Sequence, residues 1–307
     1  MVKIAFVFPG QGSQFVGMGK DFYDHMPTAR KLLDEANEIL GCDLTSICFN
    51  GPEETLKLTE NTQPALLVHS TMALKILREN GIDSVLAAGH SLGEFSALVS
   101  AGALQFKDAV RLVRLRGQFM QEAVPVGVGS MAAIIGLEID ILQQLCDQVS
   151  EDSCMVQPAN LNSPVQTVIA GHKKAVEQVS EKALKAGAKK AVPLPVSAPF
   201  HSALMKPAEI KLQKELEQTE FHDLSYPVIT NIEAKPITKG SEARSALIKQ
   251  VCSPVRWSET MQVLVDQGVE TVIELGAGKV LSGLIKRFNR SINCYQVGDR
   301  ESLSQTL

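Results

Sequence analysis

The chain has 307 residues, 45% of them hydrophobic and 21% charged, with a formal net charge of −4. That size suits one large α/β domain, alone or with a smaller domain inserted into it. So mild a charge argues against nucleic acid or a membrane surface as partner, and no uncharged apolar run is long enough to span a bilayer.

Residues 3–8 read as a buried strand. They resemble a secretory leader only briefly, because no small-residue cleavage site follows and Pro9-Gly10-Gln11-Gly12 ends the run in a turn. A helical stretch covers about 20–40. Thr62 as cap and Pro64 in the first turn predict a helix that runs to Asn80 and stops at Gly81. Ser84 to Ala88 is short and apolar enough for a buried strand, and Glu94 to Val99 reads as a helix. Another helix, at about 107–123, ends before Val124-Pro125-Val126-Gly127.

The rhythm then changes. Strands are expected at Met131–Leu137, Met155–Leu161, Gln166–Ala170 and Ala191–Val196, with helices at Asp140–Val149 and Lys173–Lys185. The order β-α-β-β-α-β is the ferredoxin-like pattern. Pro and Gly clusters bracket it, so residues 126–197 read as a small domain inserted into a larger one made of 1–125 and 198–307. A helix over 202–218 and strands near 226–230, 270–274 and 293–297 complete a parallel sheet covered on both faces. The six cysteines contain no C-x-x-C pair and no zinc-like histidine spacing, so buried free thiols in a reducing cytoplasm are expected.

Between the second strand and its helix stands Gly89-His90-Ser91-Leu92-Gly93, a G-x-S-x-G motif. A serine between glycines at a strand-to-helix turn is the nucleophile elbow, although a plain turn with a capping serine has the same pattern. A serine hydroxyl needs a base within reach. Of the six histidines, His201 fits best, because it lies where a strand-like segment gives way to a helix. Such loops crowd the same sheet edge as the elbow. No acid partner is evident between Ser91 and His201, so the imidazole is held from elsewhere or by a main-chain carbonyl.

On a helical wheel Arg116 falls in the middle of the face shared by Ala109, Leu112, Phe119, Met120 and Ala123. A buried guanidinium demands an anion: an internal salt bridge, or a substrate carboxylate gripped by the fork. The Pro9–Gly12 turn carries one amide, Gln11, a possible oxyanion donor. Gly276-Ala277-Gly278-Lys279 lacks the Ser or Thr that a phosphate loop requires.

Together these stretches resemble the malonyl-CoA:acyl-carrier-protein transacylases of type II fatty-acid synthesis. The resemblance is carried by Phe8 to Gln14, Thr62-Gln63-Pro64-Ala65, Gly89 to Glu94, Arg116-Gly117, Pro199-Phe200-His201-Ser202, Ser253 to Trp257 and Gly276 to Leu281. It implies an α/β-hydrolase-like domain with a ferredoxin-like insert. It implies Ser91 as acylated nucleophile, His201 as base, and Gln11 with the Leu92 N–H as oxyanion hole. Arg116 would bind the malonyl carboxylate, Gln63 would line the site, and the Gln250 carbonyl would orient His201. Phe200 resembles the malonyl-selective form, since methylmalonyl-selective relatives carry a smaller residue there. Ala277 departs from the proline common in relatives. The implied partners are malonyl-CoA and an acidic acyl carrier protein, with no nucleic acid, no membrane, no cofactor and no metal. A cytoplasmic monomer is expected. Lys189 and Lys190, near Lys185, form one basic group for the carrier; Lys286, Arg287 and Arg290 form another, and solvated surface charge accounts for either equally well. A hydrolase using the same elbow, or a non-catalytic acyl-CoA binder, is the rival reading.

Overall fold

The computed structural model describes residues 2–196 and 198–307; Met1 and the expected domain boundary at Ser197 lie outside them. Among the described residues ten strands form two sheets. They are β1 (Ile4–Phe8), β2 (Leu86–Gly89), β3 (Gly129–Ile135), β4 (Val156–Ser163), β5 (Gln166–His172), β6 (Lys190–Pro193), β7 (Val228–Ile229), β8 (Pro236–Ile237), β9 (Thr271–Leu275) and β10 (Asn293–Val297). The larger sheet has the order β10-β9-β1-β2-β7-β8. Its pairs are parallel except β7 with β8. The expected all-parallel sheet is therefore mixed, because the chain turns straight back after β7 and adds one short antiparallel edge strand. β1, β2 and β9 are apolar along nearly their whole length and buried except at Ile4, as strands with helices on both faces must be.

The smaller sheet is antiparallel throughout, in the order β4-β5-β3-β6. With helices Ile139–Val149 and Lys173–Lys185 on one face it is ferredoxin-like, and it has its own apolar cluster around Ile134, Leu142, Ile169 and Val179. β4 runs on to touch the larger body. Leu161 N–H donates to the Val255 carbonyl and Val255 N–H to the Ala159 carbonyl, both at 2.8 Å.

Two expectations change. The helix expected to begin at Thr62 begins at Thr59, so Pro64 lies inside it and Thr62 turns its hydroxyl to the Leu56 carbonyl at 2.5 Å instead of capping. All six cysteines are free, but only Cys48 and Cys146 are buried. The others sit in turns, beside helix ends or, for Cys294, on the edge strand β10, where neighbours cover one side only.

Candidate active site

β1 and β2 end side by side, and the loops that leave them meet at the sheet's carboxyl edge. The elbow turns there from β2 into the helix Gly93–Ser100. The turn is so tight that a Cβ on Gly89 would stand 1.9 Å from the Gly93 carbonyl, and one on Gly93 would stand 2.0 Å from the Phe8 oxygen. Only glycine fits either position. Ser91 between them has φ 52°, in the left-handed region, which throws its side chain out of the turn.

Ser91 Oγ lies 2.7 Å from His201 Nε2. His201 Nδ1 faces two main-chain carbonyls, of Gln250 at 2.9 Å and Ser253 at 3.1 Å. Carbonyls only accept, so Nδ1 carries the hydrogen and Nε2 presents its lone pair to the serine hydroxyl. Burial above all, with the nearby Arg116 charge, lowers the His201 pKa to about 3. The imidazole is thus neutral at neutral pH, with the Nε2 lone pair unprotonated and facing the hydroxyl.

Arg116 comes from the helix Phe106–Glu122 and is 1% exposed, as its place on the wheel requires. Nη1 donates to Gln63 Oε1 at 2.8 Å; Nη2 donates to Gln250 Oε1 at 2.9 Å and to Ser91 Oγ at 3.1 Å. Its Nε is buried without a partner. Among the described residues no carboxylate touches the guanidinium. The nearest counter-charge is Glu94, one amide away: Gln250 Nε2 donates to Glu94 Oε2 at 2.8 Å. Burial pushes Glu94 up to about 7 and Arg116 down to about 10, and each charge draws the other back toward its ordinary value.

The cavity above Ser91 has a volume of about 90 Å³. Gln11, Gln63, Leu92, Arg116 and Met120 line it from the larger body, Met131, Asn160, Leu194 and Val196 from the insert, and Phe200 from the loop that leads to His201. Gln11 Nε2 rests on Thr59 Oγ1 at 3.3 Å, at the pocket wall. The N–H groups of His90, Ser91, Gly93, Glu94 and Phe95 all meet protein acceptors, which leaves that of Leu92 for a ligand. Lys189 and Lys190 are exposed, but they lie at the end of β6 away from Leu194 and the pocket.

The structure therefore brings Ser91, His201, Arg116, Gln63, Gln11, Leu92, Phe200 and Gln250 to one place. Three participants were missed: Glu94, Asn231 and the side chain of Gln250. Asn231 Oδ1 accepts the Ser91 N–H at 2.7 Å, and Nδ2 donates to the Gly89 carbonyl at 2.6 Å, so it ties the elbow shut. Glu94 stood in the motif itself, where a carboxylate directly after a buried glycine turn was a signal. Nothing local marked Asn231, whose partners lie about 140 residues back.

A serine–imidazole pair at a strand–helix elbow, with a buried guanidinium beside the hydroxyl, is the arrangement of an enzyme that works on acyl groups. The family model for the acyl transferase domain matches residues 5–299. A malonyl CoA-acyl carrier protein transacylase of Bacillus subtilis is 52% identical, covering 99% of this chain and 96% of that protein. The crystal structure of an acyl carrier protein S-malonyltransferase from Vibrio cholerae superposes with a TM-score of 0.96 at 47% identity, covering 99% of this chain and all of that one. A malonyl-transacylase solved in complex with a type II polyketide acyl-carrier protein superposes equally well, TM-score 0.96 at 46% identity and 99% of both chains. The chain belongs to the acyl transferase family, and within it to the malonyl CoA-acyl carrier protein transacylases.

Proposed function

We propose that this protein moves a malonyl group from coenzyme A to the phosphopantetheine thiol of an acyl carrier protein, in fatty-acid synthesis, by a ping-pong route through a malonyl ester of Ser91. One observation carries the reading: Arg116 lies 3.1 Å from the Ser91 hydroxyl, buried, with no carboxylate among the described residues closing its fork. An acyl group bound to Oγ and bearing a carboxylate supplies the missing anion.

His201 Nε2 takes the Ser91 proton as Oγ attacks the thioester carbonyl carbon. The Leu92 N–H and Gln11 Nε2 receive the oxyanion. The C–S bond breaks, the CoA sulfur takes the proton back from Nε2, and the ester remains. The carrier thiol then gives its proton to His201, its sulfur attacks the ester, and Oγ leaves and recovers the proton. Gln250 and Ser253 carbonyls keep the ring aimed. Gln63 and Phe200 shape the pocket for malonyl. A hydrolase of the usual kind would set a carboxylate against Nδ1; here both partners of Nδ1 are carbonyls. Residues 126–197 act as an inserted subdomain that walls the pocket, Lys189 and Lys190 meet the acidic carrier, and the protein works in the cytoplasm as a monomer.

Intact-mass measurement with malonyl-CoA tests this. The expected result is one malonyl adduct, absent in Ser91→Ala and discharged by carrier protein faster than by water. In Arg116→Ala, malonyl acylation should fall by about 100-fold, the scale of a lost charge-assisted pair, and acetyl acylation by much less. An adduct that persists in Ser91→Ala, or discharges only to free malonate, would sink the proposal.

A further inference from the structure

Glu94 is the buried carboxylate beside the catalytic pair, and none of the steps above uses it. It is 1% exposed, in the first turn of the elbow helix. Oε2 accepts the main-chain N–H of Asn231 at 3.0 Å and Gln250 Nε2 at 2.8 Å. Gln250 turns the same Nε2 to the Ser91 carbonyl at 3.0 Å and its Oε1 to Arg116 Nη2 at 2.9 Å. A carboxylate and a carbonyl only accept, and a guanidinium only donates. Turned over, the amide would set N–H groups against Arg116 and an oxygen against two other oxygens. Glu94 therefore decides which end of Gln250 the guanidinium meets.

Charge points the same way. A guanidinium in a dry pocket needs a counter-charge. A carboxylate in direct contact would supply it and occupy the fork. Glu94, once ionised above its raised value of about 7, supplies it at one remove, so Nη2 still reaches the serine oxygen. We propose that Glu94 is a positioning residue, which acts through the Gln250 amide to hold Arg116 charged, oriented and open to the substrate's carboxylate. The inference rests on the malonyl-transfer reading and deepens it.

Two rates separate this role from plain support of the elbow. One is acylation by malonyl-CoA, followed by intact mass. The other is sulfonylation of Ser91 by phenylmethanesulfonyl fluoride, which uses the Ser91–His201 pair but has no carboxylate for Arg116. Glu94→Ala should slow malonylation by about 100-fold and sulfonylation by only a few-fold. Glu94→Gln still offers an oxygen to both donors, so it should keep malonylation within about tenfold of wild type. Gln250→Ala should reproduce the Glu94→Ala split, and the double variant should be no slower than either single one, since both act on one link. Should Glu94→Ala fail to fold, Gln250→Ala alone still decides the matter. Equal slowing of both reactions, unchanged malonylation, or additive losses would overturn the proposal. Wild-type protein that is sulfonylated yet takes no malonyl would instead overturn the transferase reading itself.

Discussion

Ser91 and His201 are two of the three non-glycine residues at positive φ among those described, at 52° and 57°. A side chain in that region costs on the order of 1–2 kcal/mol, because Cβ crowds the following carbonyl. Both residues thus hold strain that the tied elbow and the two carbonyls at His201 Nδ1 keep in place. The strain can be measured apart from the chemistry. Ser91→Ala and Ser91→Gly both lose the bonds to His201 and Arg116, but only the glycine relaxes the backbone. Ser91→Gly should therefore unfold at a higher denaturant concentration than Ser91→Ala, by up to about 1 kcal/mol after the glycine's greater unfolded-state freedom is subtracted. A less stable glycine variant would show that the turn is not strained at Ser91.

Among elements, the contact that matters most for the pocket is between the helices Thr59–Glu79 and Phe106–Glu122. Pro64 has no N–H for the Glu60 carbonyl, the bond it would make in an unbroken helix. Arg114 of the second helix donates Nη1 to that carbonyl at 2.9 Å and also holds the Asn61 side chain. Three residues on, Gly117 lets the backbones touch: a Cβ there would stand 2.6 Å from Glu60 Cα. This docking brings Gln63 to Arg116 and Thr59 to Gln11. Gly117→Ala should push the helices apart, with a loss of about 1–3 kcal/mol in urea unfolding and a weaker grip on malonyl. An unchanged midpoint would mean the helices yield freely. The same contact shows what the sequence could and could not convey. The elbow, the wheel position of Arg116 and the β-α-β-β-α-β order of the insert were legible, because each depends on residues within one turn or one repeat. The start of the long helix was misplaced by three residues, because the proline's lost bond is made good by an arginine about fifty positions away. Asn231 and the partners of Glu94 escaped for the same reason, since those contacts exist only once β7 and the segment before Val255 have come to the elbow. The two-residue strands β7 and β8 are too short to show any periodicity.

At the scale of the molecule, the site lies where two sheets meet, and the buried groups in and around it titrate in opposite senses. His90 Nε2 bonds Asn162 Oδ1 of β4 at 2.9 Å, His69 Nε2 bonds the Gly298 carbonyl at 2.8 Å, and His201 Nε2 lies 2.7 Å from Ser91 Oγ. Burial lowers all three histidine pKa values, that of His201 from 6.5 to about 3. The unfolded chain binds protons there that the native state refuses. This stability is present above pH 6.5 and is lost as pH falls toward the native values. Glu94 and Glu274 are raised by burial, Glu94 from 4.5 to about 7, so the native state keeps a proton that the unfolded chain releases. Their contribution is present below pH 4.5 and is lost as pH rises through the native value. Between about pH 5 and 6 the two kinds of group pull against each other, and two substitutions separate them. Glu94→Gln removes one native-state proton, so unfolding free energy should rise with pH more steeply than in wild type, by about 1.4 kcal/mol per pH unit. His201→Gln removes one unfolded-state proton and should make the slope shallower by the same amount. Urea unfolding at several pH values across that window reads both slopes. Parallel slopes in all three proteins would mean that neither group changes protonation on unfolding. The neutral form of His201 would then need another origin than its burial.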